Sequence, residues 1–193
     1  MITHIQGKLV EKNPTDVVID CNGIGYLINI SLHTYSQIPD QEALKLYTHL
    51  QIREDAHTLY GFASLAEREL FRLLISVSGI GTNTARTMLS SLTPKQIREG
   101  IATEDVALIQ SIKGIGLKTA QRVIIDLKDK ILKIYDIDEV SVSQNNTNKD
   151  EALSALEVLG FAKKQAEKVI DKIVASEPEA NVETIIKLAL KNL

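Results

Sequence analysis

Apolar and polar residues alternate along the first third of the chain. Leu44, Leu46, Thr48, Leu50 and Ile52 interleave with Lys45, Tyr47, His49, Gln51 and Arg53. That period of two gives an extended strand one core face and one wet face. Stretches of the same kind at 5–10, 17–19, 26–30 and 57–62 bring the total to about five strands. Asn22-Gly23 lies between two of them and tolerates the positive φ of a tight hairpin, and Asn13-Pro14-Thr15-Asp16 marks an earlier turn. An antiparallel barrel, closed or nearly so, buries such strands, and the OB-fold is the common five-stranded form.

From residue 64 the period lengthens to three and four. Segments 66–77, 84–91, 94–102, 106–112 and 119–135 repeat apolar residues at helical spacing. Thr93 before Pro94 reads as an N-cap with proline at the first helical position. Thr103-Glu104-Asp105 supplies another cap, with acids where the helix dipole favours them. Ser143 to Asn148 holds no apolar residue, so 136–149 reads as a flexible linker. Helical periodicity then returns over 150–193 in three short helices. Gly160 stops the first of these, and Ser176-Glu177-Pro178 separates the second from the third. Leu153, Leu156, Leu159, Phe161, Val169, Ile173, Ile185 and Leu190 are its expected core. The predicted chain is a multidomain α+β protein: a barrel over 1–63, an all-α domain over 64–135, the linker, and a three-helix module over 150–193 suited to docking another protein.

Charge changes this picture more than composition does. The chain of 193 residues carries a net charge of -3, which by itself argues against a polyanion as ligand. The distribution reverses that reading. Residues 64–134 hold 11 Lys/Arg against 7 Asp/Glu, while the segments before and after are acidic. A phosphate-facing surface therefore belongs to the helical centre. With 4% aromatic residues and no Trp, base stacking is not its main contact. The single Cys21 excludes an internal disulfide and any multi-cysteine metal site. Neither a leader peptide nor a run of roughly 20 apolar residues is visible, so a cytoplasmic setting away from membranes is the simplest expectation.

The centre contains an internal repeat at a constant offset of 35 residues, running from Leu73 to Leu89 and again from Leu108 to Ile124. Ser76 matches Ser111, Gly79-Ile80-Gly81 matches Gly114-Ile115-Gly116, and Thr84-Ala85 matches Thr119-Ala120. In each copy a helix ends, Gly-Ile-Gly turns the chain, and a second helix begins. The glycines remove side chains that would hold a ligand off the backbone. The amides and positive dipole end of the next helix favour a phosphate, and the middle isoleucine anchors the turn in the core. This is the helix-hairpin-helix motif, and two copies suit the two strands of a duplex. Such contacts position DNA without reading its sequence. Gly23-Ile24-Gly25, lying between strands, is only a turn. Neither a dinucleotide fingerprint nor a P-loop is present, so no nucleotide cofactor is expected.

Arg53-Glu54-Asp55-Ala56, Leu59-Tyr60-Gly61-Phe62, Ser78-Gly79-Ile80-Gly81 and Lys113-Gly114-Ile115-Gly116-Leu117-Lys118-Thr119-Ala120, in this order and with this tail, resemble the RuvA family end to end. The resemblance implies a bacterial DNA-binding subunit of recombination, repair and the SOS response. Such a subunit holds four-way (Holliday) junctions open on the flat face of a homotetramer, or between two tetramers as an octamer. It implies phosphate contacts at Gly79, Ile80, Gly81, Gly114, Ile115 and Gly116, with Lys118, Arg122 and Arg86 adding charge. The chain departs from the family pattern at Asn83, where a basic residue is common and where the second hairpin has Lys118. The resemblance also makes Glu54 and Asp55 an acidic pin at the junction's centre, where their repulsion disfavours ordinary duplex. It places a RuvB-type hexameric ATPase on the tail, in the region of Leu153, Leu156, Leu159, Gly160 and Phe161, with a RuvC-type resolvase in the same pathway. The chain itself is expected to be non-catalytic, without cofactor or metal.

The main rival is a helix-hairpin-helix repair enzyme, a glycosylase or nuclease, which needs a pocket and a catalytic acid or amine. Lys118 and Asp126 are the one tempting pair, and Asp126 reads more simply as a surface charge. His4, His33, His49 and His57 read as strand and turn residues, and Cys21 lacks a His partner at a spacing suited to a nucleophile.

Overall fold

The computed structural model describes residues 1–39, 43–139, 144–177 and 180–193, and for 132–139 and 144–147 the backbone alone. It divides into two units, Met1–Ile134 and Tyr135–Leu193.

The first unit opens with five strands: β1 (His4–Lys12), β2 (Asp16–Cys21), β3 (Ile24–Ile30), β4 (Ala43–Ile52) and β5 (His57–Phe62). They close a barrel in the order β1-β2-β3-β5-β4. Asn22 at φ 55° and Gly23 at φ 90° make the β2–β3 turn, both central residues left-handed as the twist of a tight hairpin requires. The wholly antiparallel barrel expected from the sequence is corrected at one seam, where β3 pairs with β5 in parallel. An odd number of strands forces this, because five strands alternating in direction around a closed ring must leave one like-directed pair. A short helix absent from the sequence reading, α1 (Leu32–Gln37), makes the crossover from β3 towards β4, capped by the Ser31 hydroxyl. Inside lie Ile5, Val17, Ile19, Ile28, Ile30, Ile38, Leu44 and Leu46.

Five helices follow: α2 (Leu65–Ile75), α3 (Thr82–Ser91), α4 (Pro94–Ala102), α5 (Val106–Gln110) and α6 (Leu117–Glu139), the last beginning in this unit and running past its end at Ile134. Thr93 and Gln96 form a reciprocal capping box at α4, and the Asp105 carboxylate caps α5. Phe71 of α2, fully buried, stacks against Tyr60, Phe62 and His49 with ring centroids at 5.2, 4.9 and 5.5 Å. This aromatic cluster joins barrel to helices. Beside it the buried Glu67 carboxylate accepts from the Ser31 hydroxyl at 2.7 Å, from the Thr34 hydroxyl at 2.8 Å and from the Ala63 amide at 3.2 Å.

The second unit holds α7 (Gln144–Val158), α8 (Lys163–Ser176) and α9 (Val182–Asn192) around Ala152, Leu156, Ala166, Ile170, Ile173, Ile185 and Ala189. Gly160, at φ +97°, ends α7 in a left-handed turn in which the Phe161 amide donates back to the Leu156 carbonyl at 3.1 Å. Of the expected core, Leu159 and Leu190 are instead exposed, Leu159 in the turn that follows α7 and Leu190 on α9. The segment read as a linker is helical on both flanks, through Glu139 and again from Gln144, while 140–143 lie outside the described residues. It contains neither Gly nor Pro, and its Asn and Thr carry only a propensity penalty, which does not stop a helix.

Candidate nucleic-acid interface

The two Gly-Ile-Gly turns make corresponding hydrogen bonds. Ser76 and Ser111 each turn a hydroxyl back onto the carbonyl three residues earlier at 2.7 Å. The Ile80 amide donates to Val77 at 3.0 Å and the Ile115 amide to Ile112 at 3.1 Å. Gly81 and Gly116 each accept the first helical bond, from Ala85 and Ala120, at 2.9 Å. Ile80 and Ile115 are buried, at 4% and 5% exposure, and so anchor the turns as their apolar character demands. Gly79 and Gly114 sit at φ 97° and 90°, where a side chain would be strained.

Gly81 and Gly116 are different. Neither has positive φ, and a Cβ added at either would meet nothing within 4 Å. Among the described residues nothing requires glycine there, and the bare backbone lies open at the surface. The amides of Gly79, Gly81, Gly114 and Gly116 have no acceptor among the described residues, and α3 starts without a side-chain cap. Open N–H groups at a positive dipole end form an anion cradle.

The cradles lie side by side, because Arg122 Nη1 of α6 donates to the Ser78 carbonyl of the first turn at 3.3 Å. The charged residues are distributed unevenly around them. Lys113 and Lys118 at the second turn are exposed and make no ion pair or hydrogen bond among the described residues. At the first turn Asn83 is exposed, and its carbonyl accepts from Thr87. Arg86 faces the barrel instead: its Nη1 donates to Asn29 Oδ1 at 2.8 Å and to the Thr15 carbonyl at 3.4 Å. It spends that nitrogen on the β3 side of the barrel.

Four other cations of the centre are matched by acids. Glu69 takes Arg72 at 2.8 Å and Arg68 at 3.2 Å, Glu99 takes Lys95 at 3.7 Å, and Glu104 pairs with Lys128. In that last pair the hydrogen bond, aided by Coulomb attraction, holds the Glu104 carboxyl below its ordinary pKa and the Lys128 ammonium above its own.

Glu54 and Asp55 lie exposed in the β4–β5 turn, which the Arg53 amide closes onto the Ala56 carbonyl at 2.8 Å. Among the described residues no three His, Cys, Asp or Glu side chains approach closely enough to hold a metal ion, and no helix is long and apolar enough to cross a membrane. In the second unit Leu156 is fully buried, and Leu153 and Phe161 pack partly against the core. Gly160 and Leu159 are exposed, as is Val158 at 85%, a position the sequence reading did not single out. Sequence reasoning also missed Thr82. It is buried where its repeat partner Leu117 is half exposed, and that polar-for-apolar break in the repeat was the available signal.

Models of three domain families match the chain: the RuvA N terminal domain over residues 1–61, the SAM-like helix-hairpin-helix tandem over 71–129, and the RuvA C-terminal domain over 147–193. The chain is 71% identical over 193 residues to the Holliday junction branch migration complex subunit RuvA of Flavobacterium psychrophilum, all of both chains being covered. It is 69% identical over 193 residues to the same subunit of Christiangramia forsetii, again over the whole of both. Against that of Bacteroides fragilis the identity is 51% over 202 residues, with both chains covered in full. The barrel, the paired cradles and the helical tail thus occur together in one family, and the chain belongs to the RuvA family.

Proposed function

We propose that the chain binds four-way DNA junctions by backbone clamps, in keeping with relatives named as subunits of a Holliday junction branch migration complex. The observation that carries this reading is the pair of Gly-Ile-Gly turns with corresponding hydrogen bonds. Their second glycines have neither a steric nor a torsional reason to be glycine within the chain. Gly79, Gly81, Gly114 and Gly116 present amides to phosphates, Ile80 and Ile115 hold the turns, and Lys118, Arg122 and Lys113 add charge. Arg86 acts at one remove, seating α3 on the barrel. Glu54 and Asp55 repel phosphates that come too close to the β4–β5 turn, which penalises continuous duplex more than an opened crossover.

The chain acts as a non-catalytic subunit in branch migration, with ATP hydrolysis in a RuvB-type hexameric partner and junction cleavage in a RuvC-type one, in the bacterial cytoplasm. It works as a homotetramer, alone or doubled, and the unit Tyr135–Leu193 offers Val158, Leu159 and Gly160 to the ATPase. The rival enzyme reading lacks its acid–amine pair. Lys118 and Asp126 are eight residues apart on α6, about 12 Å along its axis.

A gel-shift titration of a synthetic four-way junction against linear duplex of the same sequence, at moderate salt, tests the reading. The junction should bind far more tightly, and Glu54→Ala with Asp55→Ala should raise duplex binding towards it. Equal binding of the two DNAs by the unaltered chain would reduce the hairpins to generic clamps.

A further inference from the structure

The two hairpins share a turn geometry but are held differently. At the first residue of α3 the buried Thr82 Oγ1 accepts from Tyr60 Oη at 3.0 Å and donates to Gln51 Oε1 at 2.9 Å. Gln51 lies on β4 and Tyr60 on β5, the two strands that the Glu54–Asp55 turn connects. The matching position of the second hairpin is Leu117, 50% exposed and without such bonds. The motif therefore forms without this tie, and the polar contacts of Thr82 are not demanded by the hairpin itself. A buried hydroxyl that gives one bond and takes another fixes the orientation of both partners. One turn along α3, the Arg86–Asn29 bond holds the same helix to β3.

The consequence is geometric. Thr82 follows Gly81 directly, so the turn that carries the open amides is tied, through the Thr82 hydroxyl, to both strands flanking the exposed carboxylates. An attractive and a repulsive site then keep a fixed offset. Repulsion between exposed charges fades over a Debye length of about 8–10 Å. A carboxylate turn free to swing would lose its discrimination, whereas one held in register with the clamp keeps it.

We infer that Thr82 is a specificity-determining positioning residue, registering the first phosphate clamp to the acidic β4–β5 turn through Gln51 and Tyr60. This rests on the junction-binding reading above. The test uses the full chain, with junction and duplex affinities measured by gel shift across a salt series. Thr82→Val should lower the junction-over-duplex ratio by roughly tenfold, the scale of a lost buried hydrogen-bond pair. The salt slope should not change, because no phosphate contact is removed. Thr82→Ser should restore the ratio, and Thr82→Val should cause no further loss in a chain already carrying Glu54→Ala and Asp55→Ala. Tyr60→Phe leaves the Thr82–Gln51 bond in place and decides the matter if Thr82→Val does not fold. A ratio that survives these substitutions in a selective wild type overturns the positioning role alone, as does an equal weakening of both DNAs. A wild type that binds both DNAs alike overturns the junction reading as well.

Discussion

An aspartate at Gly81 should separate folding from binding. Gly81 is the N-cap of α3 at φ −85° and ψ 169°, the extended conformation in which a side chain reaches back to the amides of the first turn. It has no cap bond of its own, and the space around a new Cβ is open. Aspartate is among the best N-caps, improving on glycine by a few tenths of a kcal/mol, and its charge at the dipole's positive end adds about 0.3–1 kcal/mol. The folded chain should therefore hold or gain about 1 kcal/mol, which for a chain of this size raises the melting temperature by about 2–4 °C.

The same carboxylate occupies the place assigned to a phosphate and takes the amides that would bind it. At about 5 Å from a neighbouring phosphate, the repulsion is about 1 kcal/mol at water's dielectric and about 3 kcal/mol at an effective value near 20. Junction affinity should fall roughly fivefold to two-hundredfold. Gly116→Asp should behave alike, since the Gly116 carbonyl accepts from Ala120 at the same 2.9 Å. Circular-dichroism melts and junction gel shifts on one preparation read both quantities. Affinity held within twofold in a chain carrying both Gly81→Asp and Gly116→Asp would refute the amide-clamp argument. So would a fall in melting temperature that tracks the loss of binding, which would show the glycines serving the fold.

Three further outcomes follow from particular contacts. Lys113→Ala and Lys118→Ala should each lower the slope of log affinity against log salt by about 0.9, while Asn83→Ala leaves it unchanged; equal slopes throughout would place the phosphates elsewhere. Burial first, then the cations of Arg72 and Arg68, with Glu69 opposing, hold the His49 imidazole below its ordinary pKa near 6.5. Stability should thus be full above about pH 6.5 and decline as the pH falls through that value towards the lowered one, a slope in urea midpoints that His49→Gln should flatten. Glu67→Ala strands the Ser31 and Thr34 hydroxyls and the Ala63 amide and should cost roughly 2–4 kcal/mol in urea denaturation; an unchanged midpoint would mean that those donors find other acceptors.

Much of the architecture was legible because local rules agreed with the final packing. The alternation at 44–52 is β4, Asn22-Gly23 is the two-residue turn, and Thr93-Pro94 caps α4. The 35-residue repeat located both turns with the correct anchoring isoleucines. The rest depends on contacts distant in sequence. Leu32 to Gln37 is too short for a helical period to register, and it is fixed by a buried carboxylate more than thirty residues away. The parallel β3–β5 seam follows from ring closure, which no window of sequence displays. Arg86 lies on a helix beside a clamp and reads as a phosphate contact until its partner Asn29, 57 positions earlier, is known. At the site, sequence marks which residues are unusual, while burial decides whether a charge faces a ligand or the chain.

That distinction also reconciles a net charge of -3 with a polyanionic ligand. Most cations of the helical centre whose partners are described are engaged internally: Arg68 and Arg72 by Glu69, Lys95 by Glu99, Lys128 by Glu104, Arg86 by the barrel. Among the described residues the cations at the turns without an acidic partner include Lys113, Lys118 and Arg122, and on the proposed reading the first turn relies on amides. Amide clamps act only at hydrogen-bond distance, whereas a broad basic surface attracts any duplex over a Debye length. A chain built this way gains little from long-range attraction to linear DNA. On the function proposed above, its affinity depends instead on a ligand whose phosphates reach both cradles while staying clear of Glu54 and Asp55, and a ligand defined by those distances is defined by shape.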